Sequence, residues 1–344
     1  MHTFRHYLIL LLVWMPVPLV AQQYAHAGEY MAAMQEGYAQ FKEDLWTYVK
    51  TAAHGKNASK TEEKRRTLIQ TTHLVQKKVS RMPVYEDDAG LRDGTAAYLK
   101  LIYNVLNEDY AKIVDLEAIA EQSYDLMEAY LLAKEMAGER MDEAASLLSE
   151  EEAAFAARHN IRLIEAEKSK TTLNLEAAGR VMGYYNRVYL LFFKSYKQEA
   201  YLIEAAQKGD VNALVQNQNA LKRDAAEGLA MLDTMSAYQG DGSLKAACAD
   251  MLSFYLDEAI HKAPVLSGFY LQKENFEQIK AAFDAKKQSE RSQADVENYN
   301  QAVTRYNQAI SDYNRTSESL HEQRGKLLAA WNKTAPKFLD RHVP

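Results

Sequence analysis

The sequence predicts an all-α fold, and three observations lead to that prediction. Ala, Glu, Lys, Gln and Leu, which have the strongest intrinsic helix propensity, are abundant along the chain. Prolines are few after residue 21, at positions 83, 264, 336 and 344. Apolar residues recur at helical spacing over long segments, as in the stripe that contains Val181, Tyr185 and Val188.

Starting and stopping signals divide the chain into consecutive helices. Periodicity and capping residues predict helices over residues 29–53, 59–82, 91–109, 116–164, 175–208, 211–235 and 243–261, and a last helical segment from 267. Pro83, Pro264 and Pro336 lie where apolar periodicity ends, so we expect each to mark a helix boundary. Residues 284–295 contain no large apolar residue, which predicts a break or bend in the last segment.

The two halves of the chain align with each other at a constant shift of 153 residues. This shift places Tyr48 on Tyr201 and the turn SRMPVYEDDAGL on DTMSAYQGDGSL. Any two amphipathic helical stretches align by period, but that alternative does not align the turns as well. The sequence therefore predicts an internal duplication into two tandem up-and-down helical bundles, 22–168 and 169–344. Helical pattern around 165–173 favours a shared long connecting helix over a flexible linker.

Residues 1–21 have the pattern of a secretory signal peptide. Arg5 precedes an uncharged apolar stretch over 7–19, and Ala21 offers a cleavage point. The stretch is too short and too rich in proline for a membrane anchor. No cysteine follows the signal, so the chain is not a lipoprotein by sequence, and the single Cys248 cannot form an internal disulfide. We expect an exported protein of the periplasm or cell surface.

Charge and motifs narrow the class of function. The formal net charge of −6 argues against nucleic acid, which requires a basic face. No segment after the signal approaches the apolar length of a transmembrane helix. The signatures of nucleotide-binding loops, zinc proteases and serine hydrolases are missing from the sequence. The prediction is therefore a protein that is not an enzyme and has no cofactor.

Two Glu-x-x-His pairs are the strongest candidates for chemistry. Glu258 with His261, and Glu318 with His321, have the i, i+3 spacing that di-iron bundles use. Both pairs lie in the second half, and no matching glutamates are evident on the other helices. Such pairs are also expected by chance among 47 acidic residues and nine histidines, so no metal is predicted and these four residues stay low-probability candidates.

A tyrosine repeat marks the last helical segment. Tyr299, Tyr306 and Tyr313 recur every seven residues within a 3-4 apolar spacing, which is typical of a coiled-coil-like seam. Arg324 interrupts that seam. The repeat predicts either a bundle helix with half-buried tyrosines or a tyrosine-lined interaction face.

The segments YYNRVYLLFFKSYKQEAYL (184–202), WNKTAPKFLDRHVP (331–344) and FAARHNIRLI (155–164) carry a family resemblance. With them, the chain resembles an uncharacterised family of bacterial surface proteins first catalogued in spirochaetes. The resemblance spans most of the mature chain and implies an envelope or surface location. It implies no activity, substrate or catalytic residues.

The preferred hypothesis is an exported helical scaffold that binds an unknown protein or surface polymer at the cell envelope. A membrane-active helical-bundle protein is one alternative, motivated by the apolar window at 188–193. A bundle metalloprotein that uses the Glu-x-x-His pairs is the other.

Overall fold

A computed structural model of the protein describes residues 24–55, 58–163 and 168–344. The predicted signal peptide, 1–21, lies outside the described residues. The all-α prediction is confirmed, since long helices account for most of the described chain and pack densely on one another.

The helices of the first half are α1 (Ala27–Gly37), α2 (Ala39–His54), α3 (Ala58–Ser80), α4 (Gly90–Asn104), a π-helix (Val105–Asp109), α5 (Tyr110–Ala120) and α6 (Tyr124–Arg158). The second half contains α7 (Lys170–Lys208), α8 (Val211–Thr234), α9 (Ser243–Asp257), a π-helix (Glu258–Lys262), α10 (Ala263–Asp284), a 3₁₀ turn (Gln288–Glu290) and α11 (Gln293–His342).

Two of the three helix boundaries that were predicted at prolines are wrong. Pro264 is the second residue of α10, which follows the second π-helix without a break in the rod. The wider π-type turn changes the hydrogen-bond ladder at the point where proline has no N–H to donate. Pro336 lies inside α11, on an exposed side of the helix where water can satisfy the carbonyl that proline leaves unpaired. Pro83 does lie in a turn.

The prediction of a shared connecting helix between the halves is also wrong for the described residues. Helix α6 ends at Arg158, and residues 159–163 and 168–169 are not helical. Asn160 has a φ of +53°, and the Ile161 N–H donates to the Ala156 carbonyl, at an N···O distance of 2.8 Å. This is a Schellman-type helix end, which asparagine favours because it tolerates the left-handed conformation.

Each half has its own apolar core, and the two cores meet. The first core is built from α1, α2, α3, α4 and α6. The second is built from α7 to α11, but it also includes Ala53, Ala120, Met127 and Leu131 from the first half. The halves are therefore packed against each other through α2, α5, α6 and α7.

The predicted correspondence between the halves recurs in local structure. Isolated bridges join Tyr85 to Asp88 and Tyr238 to Asp241, at the predicted shift of 153. The π-helices, Val105–Asp109 and Glu258–Lys262, obey the same shift. An origin by duplication stays a prediction.

The shift is different in the first helices. Tyr48 is 7% exposed, whereas Tyr201, at a shift of 153, is 38% exposed. Leu202 is 1% exposed and matches Tyr48 in burial. A shift of 154 therefore fits α2 against α7. The shift returns to 153 at α3 and α8, so the first half has one extra residue between α2 and α3.

The last hairpin projects from the second bundle. The predicted break at 284–295 is confirmed, and the chain folds back there. Helix α10 has 22 residues against 11 in its counterpart α5, and α11 has 50 against 35 in α6. At 1.5 Å per residue, the hairpin reaches about 15–20 Å farther than its counterpart. We call residues 271–312 the arm; Ala302 is its one buried residue.

Candidate functional site

The structure does not gather the Glu-x-x-His residues into a metal site. Glu258 is buried, whereas His261 is exposed. Glu318 and His321 are both exposed on α11. Within the described parts of the chain, no group of three or more His, Cys, Asp or Glu side chains is arranged to hold a metal ion.

The tyrosine seam forms a ladder between the two helices of the last hairpin. Tyr299 stacks on Phe283 with ring centroids 4.6 Å apart, and Tyr306 stacks on Phe276 at 4.8 Å. Tyr313 contacts Phe269 at 4.6 Å. The phenylalanines are also seven residues apart, so the two helices of the hairpin pair in antiparallel register. The ring faces are used between the two helices of the hairpin, and all three tyrosines are half-buried.

An unpredicted aromatic clasp closes each bundle. In the first half, His159 Nε2 lies 3.0 Å from Asp88 Oδ2, and Arg158 Nε donates to the same oxygen at 2.7 Å. The His159 ring packs on Phe155 and Tyr85, with centroids 4.4 and 5.1 Å away. The clasp ties the end of α6 to the turn before α4.

The second half repeats this clasp with the same residue types. His342 Nε2 lies 2.9 Å from Asp241 Oδ2, which also accepts from Arg341. Phe338 and Tyr238 pack on the His342 ring, with centroids 4.7 and 5.2 Å away. The signal was present as Phe-x-x-Arg-His at 155–159 and 338–342, but pairing it with the turns required the fold.

The clasps stabilise the ionised aspartates. Hydrogen bonds from Arg158, together with those from the Gly90 N–H and His159, outweigh burial and lower the pKa of Asp88 to about 2. Burial alone would raise the pKa of Asp241, but the bonds from His342, Ser243 and Arg341 outweigh it and lower that pKa as well.

We expect Asp88→Asn to lower the free energy of unfolding by about 1–2 kcal/mol at neutral pH. Because the folded-state pKa lies below the unfolded one, the stability from Asp88 is present above about pH 4 and is lost as the pH falls toward 2. Urea unfolding between pH 2.5 and 7 measures this, with the exposed neighbour Asp87→Asn as the matched control. Equal pH profiles for the two variants would contradict the expectation.

A buried charge cluster lies in the second bundle and has no counterpart in the first. Arg324 Nε donates to Glu199 Oε1 at 2.5 Å, and Arg324 Nη2 to Glu258 Oε1 at 3.3 Å. The side chains of Glu199 and Glu258 are 2% and 1% exposed, and that of Arg324 is 18% exposed. We call these three residues the carboxyl cluster.

The carboxyl cluster is not fully satisfied by hydrogen bonds. Burial, and then the neighbouring Glu199 carboxylate within hydrogen-bonding reach, raise the pKa of Glu258 to about 9. Burial also raises the pKa of Tyr255, one turn before Glu258, and the charges of Glu199 and Glu258 act in the same direction. In the described residues, four buried side-chain oxygens have no hydrogen-bond partner, and three of them belong to the cluster or to the turn of helix before its glutamates: Glu258 Oε2, Tyr255 Oη and Ser195 Oγ.

The first bundle fills the matching positions with apolar side chains. Shifts of 154 for α7, 153 for α9 and the π-helix, and 183 for α11 place Glu199 on Leu45, Glu258 on Val105 and Arg324 on Met141. The 183-residue shift is the one that relates the two clasps. Within the described residues, the charges are therefore a feature of the second bundle that the first bundle does not share.

Sequence reasoning saw parts of the cluster without joining them. Glu199 is the one acidic residue of the apolar segment 184–202, and Arg324 interrupts the tyrosine seam. Helix periodicity shows that each faces inward, but it does not show that they meet, because 125 residues separate them. The cluster can hold a proton and an ion pair in the protein interior. The predicted pair of Glu258 and His261 cannot do so, because His261 is exposed.

Comparisons with models of known protein families, with curated proteins and with solved structures gave no match. The resemblance to bacterial surface proteins therefore stays a prediction.

Proposed function

We propose that the protein is an exported helical scaffold of the cell envelope, which presents the arm to a protein or surface-polymer partner. The observation that carries the proposal is the arm itself. It extends beyond the bundle, and its packing is almost entirely between its own two helices. The hairpin of the second half is longer than its counterpart in the first half. Packing of a bundle core does not require this extra length.

The composition of the arm supports contact with a partner of either kind. Residues 271–312 carry seven acidic and six basic side chains, so the surface is nearly neutral. Leu271 and Val296 are exposed there at 55% and 40%. Asparagine, glutamine and tyrosine edges supply hydrogen-bonding groups without strong charge, which suits a neutral polymer or a polar protein surface.

The membrane-active alternative has less support. The apolar window at 188–193 lies in α7, where Val188, Phe192 and Phe193 are part of the second core. None of the helices in the described residues has a stretch that is apolar enough, over sufficient length, to span a bilayer. Dye release from liposomes tests this alternative, and release above background would support it.

The first test of the proposal is accessibility on cells. Protease and an antibody against the arm are applied to intact and to lysed cells. Exposure on intact cells places the partner outside the cell. Protection until lysis, together with recovery in the periplasmic fraction, places it in the periplasm. A protein found in the cytoplasmic fraction would contradict the proposal.

The second test asks whether binding uses the arm. A photo-crosslinking residue is introduced in place of Val296 on the arm or of Met231 on α8; both positions are exposed, at 40% and 58%. We expect crosslinks to a partner from position 296 and none from position 231. A variant in which the Glu121-Gln122-Ser123 turn replaces residues 274–306 shortens the hairpin to the length of its counterpart. It should keep its helical circular dichroism and lose the crosslinked partner. Crosslinks from Met231 alone would contradict the proposal.

A further inference from the structure

The carboxyl cluster lies at the base of the arm. Glu258 belongs to the π-helix that continues directly into α10, the first helix of the hairpin. Arg324 lies on α11, twelve residues after the end of the arm. Glu199 lies on α7, in the body of the bundle. The two hydrogen bonds of Arg324 therefore connect the returning helix of the arm to α7 and to the π-helix.

The charges at this point do not balance unless a proton is present. Two carboxylates face one guanidinium, which leaves one negative charge in a site that water hardly reaches. An uncompensated charge in a protein interior is costly, and the usual outcome is that the group binds a proton. The carboxyl of Glu258 lies within hydrogen-bonding reach of Glu199, so a proton on Glu258 can be donated to the Glu199 carboxylate.

No other described group facing the cluster offsets the extra charge. Tyr255 of α9 and Tyr196 of α7 are neighbours of the cluster, and a phenol cannot supply a positive charge. From α8, Gln218 donates to the Ala259 carbonyl and contributes no charge. Arg324 is the single cation that touches both carboxylates.

We infer that Glu258 holds a proton beside the Glu199 carboxylate, and that this proton allows Arg324 to fasten the base of the arm to the bundle. When the proton is lost, two buried carboxylates repel each other across one arginine. The π-helix that carries Glu258 interrupts the regular α-helical hydrogen-bond ladder of its rod, so we expect the opening to begin there. The attachment of the arm thus depends on pH, while the first bundle, with Leu45, Val105 and Met141 at the same level, has no such dependence.

The direction of the dependence follows from the pKa. Glu258 has a pKa of about 9 in the folded protein, against 4.5 as the ordinary value. A group whose pKa is higher in the folded state stabilises it most below the unfolded pKa. The attachment is therefore strongest in acid, weakens as the pH rises above about 4.5, and is lost above about 9. A role in presenting the arm rests on the proposed function, but the following test involves no partner.

The test uses Trp331, which is 3% exposed and lies two turns after Arg324 on α11. Acrylamide is a neutral quencher, so its access to Trp331 reports opening of α11 without a charge effect. Quenching is measured from pH 6 to 10 in a Trp46→Phe background, for the parent, Glu258→Gln and Glu199→Gln. The exposed Glu318→Gln on the same helix is the matched control.

We expect quenching of the parent and of Glu318→Gln to rise several-fold, with a midpoint near pH 9. Glu258→Gln and Glu199→Gln should each give a flat profile, since either leaves one carboxylate for Arg324. A flat profile for the parent would overturn the inference, as would an equal rise in all four proteins. If one glutamine variant fails to fold by circular dichroism, the other decides the question, because each removes the same excess charge.

Discussion

Arg324→Met alone is expected to lower the free energy of unfolding by about 3–5 kcal/mol at neutral pH. The substitution removes the cation that faces Glu199 and Glu258 and leaves both carboxyls in the interior. Removing one partner of a buried ion pair is far more costly than removing the whole pair, because the remaining charge has no water and no counter-charge. Methionine is the residue at the matching position in the first half, so its size suits this level of the bundle.

The triple variant Glu199→Leu, Glu258→Val and Arg324→Met is expected to reverse that loss. It installs the apolar residues that the first bundle uses at the same level. Apolar replacement of a complete buried ion cluster is often neutral or stabilising, by about 1–4 kcal/mol. Urea unfolding followed by circular dichroism measures both variants, with the exposed Arg315→Met as the control. A triple variant less stable than Arg324→Met would show that the halves do not correspond here.

Phe338→Ala is expected to cost about 3–5 kcal/mol in the second bundle, since it empties the centre of the clasp. Phe338 is 0% exposed and contacts Tyr184, Tyr238 and His342. Phe155 is 0% exposed in the matching place of the first bundle, so Phe155→Ala is its matched variant. The two substitutions remove the same side chain from the same kind of site in different cores.

The two phenylalanine variants also test how far the bundles unfold separately. Trp331 stacks on Phe192 in the second core, with ring centroids 4.4 Å apart. In a Trp46→Phe background, we expect Phe338→Ala to move the Trp331 unfolding transition to lower denaturant. Phe155→Ala should move the circular dichroism transition while leaving Trp331 nearly unchanged. An equal shift of Trp331 fluorescence in both variants would show that the chain unfolds as one cooperative unit.

Local signals predicted most of the helices correctly. Gly209 ends α7 in the left-handed conformation, and the Asp210 side chain caps the N-terminus of α8, as their residue types indicate. Cys248 is buried as a small apolar residue, which raises its thiol pKa to about 12. These features depend on residues close in sequence, so pattern reasoning can find them.

Local signals failed where a distant contact changed the outcome. Proline at 264 follows a π-helix, and that π-helix recurs at Val105–Asp109 with no proline after it. The π-helix therefore does not depend on the proline. It forms at this place in both halves, and in the second half it accommodates Pro264. The 110–115 boundary predicted between the third and fourth helices is likewise absent, because α4, the π-helix and α5 form one rod.

The sequence by itself determined the helical class, most helix ends and the break at the tip of the arm, because each depends on the propensity of neighbouring residues. Tertiary structure decided which tyrosine faces are used within the arm, and it brought Glu199, Glu258 and Arg324 together. Those side chains come from three helices. Their charges affect pKa and stability only because they are buried beside one another. A buried charge cannot be recognised from its own segment, since the desolvation that defines it is imposed by residues far along the chain.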